Sequence, residues 1–300
     1  MPCYHPLHGW RSRKPSKNGK YGVVFDSKIG YRDKPMTVPC GQCVGCRLER
    51  SRQWAVRCVH EAQLHDENCF ITLTYSDDVL ENGNYYIPDS ENFSLRVDDF
   101  QKFMKRLRKK IGKVRFFHCG EYGSKTERPH YHACLFGYDF PDKKFFSENH
   151  GNILYTSKLL DEVWGLGHCF VGAVSFESAA YVARYIMKKI TGDGAAAYYR
   201  GRLPEYITMS RRPGIAADWL KKYKSDVFPA AEVVVRGKKM RPPRYYENQY
   251  QLTDPSAFAK LKIERRAQAS LKADDNDDKR LRVKLAVKEA AIVHLRRDKI

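Results

Sequence analysis

The chain has 300 residues, 42% of them hydrophobic, enough for one large domain or a domain with appendages and a real core. Its formal charge of +19 and sequence pI near 9.5 point to a polyanionic partner. Nucleic acid is favoured over a membrane, because no basic amphipathic anchor stands out and no run of 18 apolar residues exists to span a bilayer. The first residues, Met1 to His8, lack the apolar core of a signal peptide. The expected setting is therefore intracellular, where thiols stay reduced, and nine cysteines, an odd number, suggest metal ligation or burial rather than a disulfide framework.

In chain order, residues 1–39 are polar, basic and loop-like, with Trp10, Gly19, Gly22 and Gly30 interrupting any period. Cys40, Cys43 and Cys46 follow at successive CxxC spacing, which suits three ligands of a small structural zinc site. An iron–sulfur run would need another cysteine at position 50, which is Arg50. Cys3 is the expected fourth ligand, with His5 or His8 as substitutes. Residues 47–57 have helical composition, and Leu48, Ser51, Ala55, Cys58, Val59 and Ala62 share one face. Arg47, Arg50, Arg52 and Arg57 lie around the rest, as a solvated surface or as phosphate contacts. Together, residues 1–66 read as a Cys-rich element with a basic helix.

Residues 67–192 carry the strongest pattern. A strand is expected over Cys69 to Tyr75, closed by Ser76-Asp77-Asp78, and a polar segment runs to about residue 94. Val97 to Ile111 has helical spacing with Phe100, Phe103, Met104 and Leu107 as its inward stripe. Val114 to Cys119 is a second strand that runs through a turn at Gly120 to Gly123 into a third, around His130 and His132. A short helix over 157–164, a strand over 168–176 and a helix over 177–190 complete the series. The order β-α-β-β-α-β-α is that of a split βαβ unit. The expected class is thus α+β: a ferredoxin-like antiparallel sheet with helices on one face, a Cys-rich N-terminal element and a basic helical C-terminal extension. Cys58, Cys69, Cys119, Cys134 and Cys169 fall in these patterns and read as core. Residues 193–254 form a basic accessory region: a mobile link around Gly192 and Gly194, a helix from Arg211-Arg212-Pro213-Gly214 to Lys224, and a basic hairpin over 233–246. Residues 255–300 read as a basic helical tail without a dense apolar face.

The chemistry sits in the core. Strand side chains alternate, so His130 and His132 point the same way. Glu121, nine residues upstream at the end of the neighbouring strand, is the candidate third ligand. Two nitrogens and one oxygen with open positions suit Mg²⁺ or Mn²⁺ with a phosphate as further ligand, and zinc would bind there too. Downstream, Tyr181 and Tyr185 lie one helical turn apart with Lys188 on the same face. The ordinary reading of such tyrosines is half-buried core. Phenol is a poor nucleophile at neutral pH, its pKa being near 10. A metal on the scissile phosphate would help it attack, and a lysine could hold the phosphate or the departing oxygen.

Three segments, Phe70-Ile71-Thr72-Leu73-Thr74-Tyr75, Arg128-Pro129-His130-Tyr131-His132 and Tyr181 to Lys188, resemble in order the three motifs of HUH-type rolling-circle replication initiators. Tyr131 is a polar-tipped variant of the bulky hydrophobic middle residue. The two-tyrosine third motif is similar to that of initiators from small single-stranded DNA phages. The Cys-rich stretch running into Arg47 to Arg52 looks like their gokushovirus branch. Over about residues 40–215 the resemblance implies a site-specific nick in single-stranded viral origin DNA, a 5′-phosphotyrosine link, a free 3′-OH for host polymerase, and rejoining. It implies a divalent cation, Mg²⁺ or Mn²⁺, on His130, His132 and Glu121, with Tyr185, Tyr181 and Lys188 in catalysis. Tyr185 is preferred as nucleophile for its closeness to Lys188. Arg47, Arg50, Arg52, Arg128, Arg184, Lys189, Arg211 and Arg212 are the candidate DNA contacts. No GxxxxGK[ST] phosphate loop occurs, so unwinding is expected to fall to a host helicase in the bacterial cytoplasm. The competing readings are a non-catalytic zinc-containing nucleic-acid-binding protein, for which the RNA-recognition motif is missing, and an HUH-type transposase, which usually carries a single tyrosine.

Overall fold

The N-terminal residues form a small sheet where the sequence suggested loop. The computed structural model describes residues 3–17, 19, 21–149, 151–184, 189–190, 192–271 and 273–293, with the side chains of Arg184 and Val293 outside that set. Strands β1 (Leu7–Ser12), β2 (Val23–Val24) and β3 (Gly30–Val38) pair antiparallel in the order β2-β1-β3. Of the glycines that break the sequence period, Gly30 is one this sheet needs, and Gly9 is a second glycine in the same situation. A Cβ on Gly30 would stand 2.6 Å from Cβ of Trp10, and one on Gly9 would stand 2.5 Å from the Val24 carbonyl oxygen. Only glycine permits so close an approach, and an irregularity between Trp10 and Arg11 further hides the alternation. Helix α1 (Val44–Ala62) begins inside the cysteine run, three residues before the expected start.

The described residues divide into two compact units, one over residues 3–50 and 263–293 and the other over Ser51–Lys262. The second unit is built on a sheet. Strand β4 (Asn68–Thr74) leads through helix α2 (Asp77–Asn82) and a small ladder of β5 (Tyr86–Ile87) with β6 (Asn92–Phe93) to helix α3 (Val97–Ile111). Strands β7 (Arg115–Tyr122) and β8 (Pro129–Phe136) form a hairpin, followed by β9 (Lys144–Asn149), β10 (Asn152–Thr156), helix α4 (Lys158–Trp164), β11 (Cys169–Gly172) and helix α5 (Phe176–Arg184). After α6 (Gly194–Tyr199), strand β12 (Tyr206–Met209) returns to the sheet. Among the described residues the sheet has seven strands in the order β12-β7-β8-β4-β11-β10-β9, and every adjacent pair is antiparallel.

The expected strand over 168–176 ends early, at Gly172. Ser175 takes the chain out of the sheet by capping α5: its Oγ accepts from the Ser178 amide at 3.1 Å, and Ser178 Oγ accepts from the Ser175 amide at 2.8 Å. The β9–β10 hairpin and β12 were not anticipated. Phe145 and Phe146 of β9 are both exposed, so that edge shows no apolar alternation, and β12 is four half-buried residues.

Two apolar cores flank the sheet. On one face Ile71, Leu73, Tyr131, Ala133 and Leu135 meet α3 and α4 through Phe100, Phe103, Met104, Leu107, Leu160 and Trp164. Each of those large side chains contributes roughly 1.5–3 kcal/mol on burial. On the other, Phe70, Phe117, Cys119, Cys134 and Phe136 meet Ala55, Val56 and Cys58 of α1 and Ala179, Val182 and Ala183 of α5. The expectation of helices on one face is corrected accordingly: α3 and α4 cover one face, but α1 and α5 cover the other, because β4, β7 and β8 are apolar on both. Cys58, Cys69, Cys119, Cys134 and Cys169 are buried, as expected.

The segment read as an accessory region joins this second core. Helices α7 (Ala217–Lys222) and α8 (Lys224–Val227), hairpin β13 (Val233–Val235) with β14 (Lys238–Met240), and α9 (Arg244–Thr253) supply Ile215, Trp219, Phe228, Val233 and Tyr246. The helix foreseen from Arg211 starts six residues later, since residues 211–216 form turns. The hairpin is shorter than foreseen, turning at Arg236 and Gly237, both left-handed, and Tyr246 belongs to α9. Helices α10 (Pro255–Ser270) and α11 (Asp278–Val293) complete the described chain, helical as expected and with little buried apolar surface. No described helix is long and apolar enough to cross a membrane.

His60 of α1 locks this second core. Its ring stacks on Trp219 at 3.5 Å between centroids, and its Nδ1 lies 2.8 Å from the Tyr246 hydroxyl. Burial pushes its pKa down to about 4, from an ordinary value near 6.5. The unfolded chain therefore takes up this proton first, and stability falls as pH drops from about 6.5 towards 4, by on the order of 3 kcal/mol before levelling off. Urea unfolding at several pH values is expected to show that loss, and to show it reduced by about that amount in His60→Gln.

Candidate metal centre and its neighbours

Strand register brings the candidate ligands together. Glu121 of β7 stands directly across from His130 of β8, while His132 faces Cys119 on one side and Thr72 of β4 on the other. Glu121 Oε1 is 2.8 Å from His130 Nε2 and 3.0 Å from His132 Nε2, and the two imidazoles are nearly perpendicular. The three ligand atoms all lie within 4.8 Å of one another. His130 Nδ1 donates to the Arg128 carbonyl at 3.0 Å, since that oxygen can only accept. That leaves Nε2 as the ring nitrogen that faces the carboxylate. A lone pair and a carboxylate oxygen at 2.8 Å attract only when a cation, a proton or a metal ion, is shared between them. The donor set therefore fits a divalent metal. His132 Nδ1 lies 2.9 Å from Thr72 Oγ1, a contact of the kind that orients a ligating imidazole.

Glu121 is 1% exposed. Burial acts to raise its pKa, but hydrogen bonds and charge from His130 and His132 outweigh it and hold the carboxyl below its ordinary range. It is a buried anion, and the two imidazoles that face it offset part of the cost of burying it.

The opposite side of β8 explains the polar tip at Tyr131. Its buried hydroxyl is 2.6 Å from the Tyr75 hydroxyl, donates to the Arg96 carbonyl at 2.8 Å and accepts from the Arg96 amide at 3.0 Å. Asp99 of α3 accepts from Tyr75 at 2.7 Å and from Tyr85 at 2.8 Å. Burial, Tyr131 and Asp99 push the Tyr75 hydroxyl far above its ordinary pKa, so it stays a donor. This network ties the histidine strand to α3 from the face away from the ligands. Thr72 and Asp99 were not foreseen; a threonine in a strand and an aspartate in a helix's first turn are too common to signal these roles.

Helix α5 packs over β7 and β8. Its Tyr181 ring is 5.1 Å from the His132 ring, edge to face and half-buried, and Ser51 of α1 donates to the Ala180 carbonyl at 2.9 Å. Tyr185 and Lys188 lie outside the described residues, as does the side chain of Arg184. Of the other basic candidates, Arg211 and Arg212 are exposed in the turn after β12, and Arg50 is exposed on α1. Arg47 and Lys189 are half-buried, and Arg52 Nη1 donates to the Arg241 carbonyl at 2.9 Å. Arg128 pairs with Asp77 and donates to the Tyr75 carbonyl at 2.8 Å, so its guanidinium clamps the start of β8 to the end of β4.

At the N-terminus the four cysteine sulfurs of Cys3, Cys40, Cys43 and Cys46 also lie within 4.8 Å of one another. The substitutes named for Cys3 are not in this group, and His8 Nδ1 sits 3.1 Å from Thr37 Oγ1 instead.

An antiparallel sheet with a histidine–histidine–carboxylate cluster beneath a tyrosine-bearing helix defines the class of site. The family described as Replication-associated protein ORF2/G2P matches residues 68–190, the stretch that holds Glu121, His130, His132 and Tyr181. The chain is 32% identical over 297 residues to Replication-associated protein VP4 of Bdellovibrio phage phiMH2K, covering 93% of this chain and 88% of that one. It is 33% identical over 262 residues to Replication-associated protein ORF2 of Spiroplasma virus 4, covering 82% and 79%, and 29% identical over 252 residues to Replication-associated protein ORF4 of Chlamydia phage 1, covering 80% and 60%. No solved structure matches. The chain belongs to the family of phage replication-associated proteins.

The hydroxyl network carries a test. Tyr131→Phe keeps the ring but strips a buried oxygen from Tyr75 and the Arg96 amide, at a cost of about 1–3 kcal/mol. Urea denaturation is expected to show that loss with the ligand residues still in place.

Proposed function

We propose that this protein initiates phage DNA replication by nicking single-stranded origin DNA through tyrosine attack, and later rejoins the ends, as an HUH endonuclease. The observation that carries the reading is the cluster of Glu121, His130 and His132 under the helix bearing Tyr181. The strand order β11-β4-β8-β7, with α3 and α4 on one face, supports a ferredoxin-like core. The family and the charge of +19 support DNA as substrate.

A divalent cation held by Glu121, His130 and His132 would act as a Lewis acid towards the scissile phosphate. The chain's own residues do the rest. A tyrosine oxygen of the third sequence motif, Tyr185 or Tyr181, forms a bond to phosphorus as the P–O3′ bond breaks. The phenolic proton is lost, the departing oxygen is protonated to a free 3′-OH, and the 5′ phosphate remains on the tyrosine. Lys188 is the proposed partner of the phosphate or the departing oxygen. Reversal of these steps on a new 3′-OH rejoins the strand. Arg211 and Arg212, which are exposed, are proposed phosphate contacts, and the 3′-OH would serve a host polymerase, with a host helicase opening the duplex in the bacterial cytoplasm.

Labelled single-stranded origin DNA incubated with the protein and Mn²⁺ is expected to give a band that survives denaturation. Tyr181→Phe and Tyr185→Phe should each retain some adduct, the double variant none, and His130→Ala none. An adduct mapped to a tyrosine other than Tyr181 or Tyr185, or binding without any adduct, would replace the nickase with a different reading.

A further inference from the structure

The cysteine cluster at the N-terminus is not used by the proposed nicking chemistry. Its parts come from three places in the chain. Cys3 precedes β1, Cys40 follows β3, and Cys43 and Cys46 flank the start of α1. The β1–β3 ladder brings Leu7 opposite Val38, which carries Cys3 and Cys40 to the same end of the sheet although they are 37 positions apart in the chain. The chain then turns at Gly41, whose φ is +75°, and enters α1 with Cys46 in the first turn.

The spacing of the sulfurs is that of ligands around an ion. A disulfide needs about 2.05 Å between sulfurs. A tetrahedron of zinc–sulfur bonds of about 2.3 Å has edges of about 3.8 Å. The Cys3 and Cys43 sulfurs are 3.9 Å apart, and all four fall within 4.8 Å. Backbone amides point at the sulfurs as well. Gln42 and Cys43 donate to Cys40 Sγ at 3.4 and 3.3 Å, Tyr4 to Cys43 Sγ at 3.4 Å, and Cys40 to Cys3 Sγ at 3.2 Å. Such donors spread the negative charge that ligating thiolates carry, and the N-terminal end of α1 adds a favourable dipole.

We infer that Cys3, Cys40, Cys43 and Cys46 hold one zinc ion as a closed tetrathiolate site with a structural role. Four sulfur ligands leave no open position for substrate or water, so the site is outside the chemistry at Glu121, His130 and His132. Its work is to pin the chain before β1 and the end of β3 to the start of α1. These are the ends of a sheet too small to hold itself by burial alone. Ligation expels the thiol protons, so binding and folding of this element are coupled.

Elemental analysis of the purified full chain tests this. The expected result is about one tightly held zinc per chain, retained in His130→Ala and His132→Ala and lost in Cys43→Ser and in Cys3→Ser. Exchange with Co²⁺ reads the ligands without any variant: wild type should show the intense sulfur-to-cobalt charge transfer and visible bands of tetrahedral thiolate coordination. A folded protein without zinc, zinc that survives Cys43→Ser, iron in its place, a disulfide among these cysteines, or cobalt spectra lacking the thiolate bands would each overturn the inference. None of these outcomes bears on whether the protein nicks DNA.

Discussion

The site depends on one buried carboxylate. Glu121 is almost wholly removed from water, and the two imidazoles that face its Oε1 at 2.8 and 3.0 Å help to sustain a charged carboxylate there. The β7–β8 register enforces this meeting, because a slip of one residue would send both histidines to the α3 face. Antiparallel pairing on both sides of β8 makes such a slip costly: Tyr131, Ala133 and Leu135 fill one core and Cys134 and Phe136 the other. The ligands occupy the end of the strand where the second core gives way to the half-buried Tyr181.

The two faces of the sheet therefore divide the work. On the α3 side, Asp99 and the hydroxyls of Tyr75, Tyr85 and Tyr131 form a satisfied network that holds the histidine strand from behind. On the α1 side, Ser51 fixes α5 through the Ala180 carbonyl, which sets the position of the next residue, Tyr181. A rigid frame of this kind would suit the proposed reaction, in which a phenol, a phosphate and a cation must meet in a closely fixed geometry.

Much of this was legible because it is local. Helix α3 was placed to the residue by its apolar stripe, and α4 begins one residue after its Ser157 cap. The pairing of His130 with Glu121 followed from strand alternation and a short hairpin. What stayed hidden was set by close approach or by exposure. The N-terminal sheet was masked in part by Gly30, which is there to admit Trp10. The β9–β10 hairpin carries exposed phenylalanines that blur its period, and the cover by α1 and α5 could not be read from strands whose two faces are equally apolar. Arg128 looked like a phosphate contact by charge alone; only the fold shows its guanidinium bridging Asp77 and the Tyr75 carbonyl.

The most direct measurement of the central claim is a Mn²⁺ titration of the full chain, followed by electron paramagnetic resonance of the free ion, on wild type and Glu121→Ala. If Glu121, His130 and His132 form the metal centre, wild type removes one more Mn²⁺ per chain from solution than the variant does, in a folded protein whose N-terminal cysteines are untouched. Equal Mn²⁺ uptake by the two proteins would contradict it.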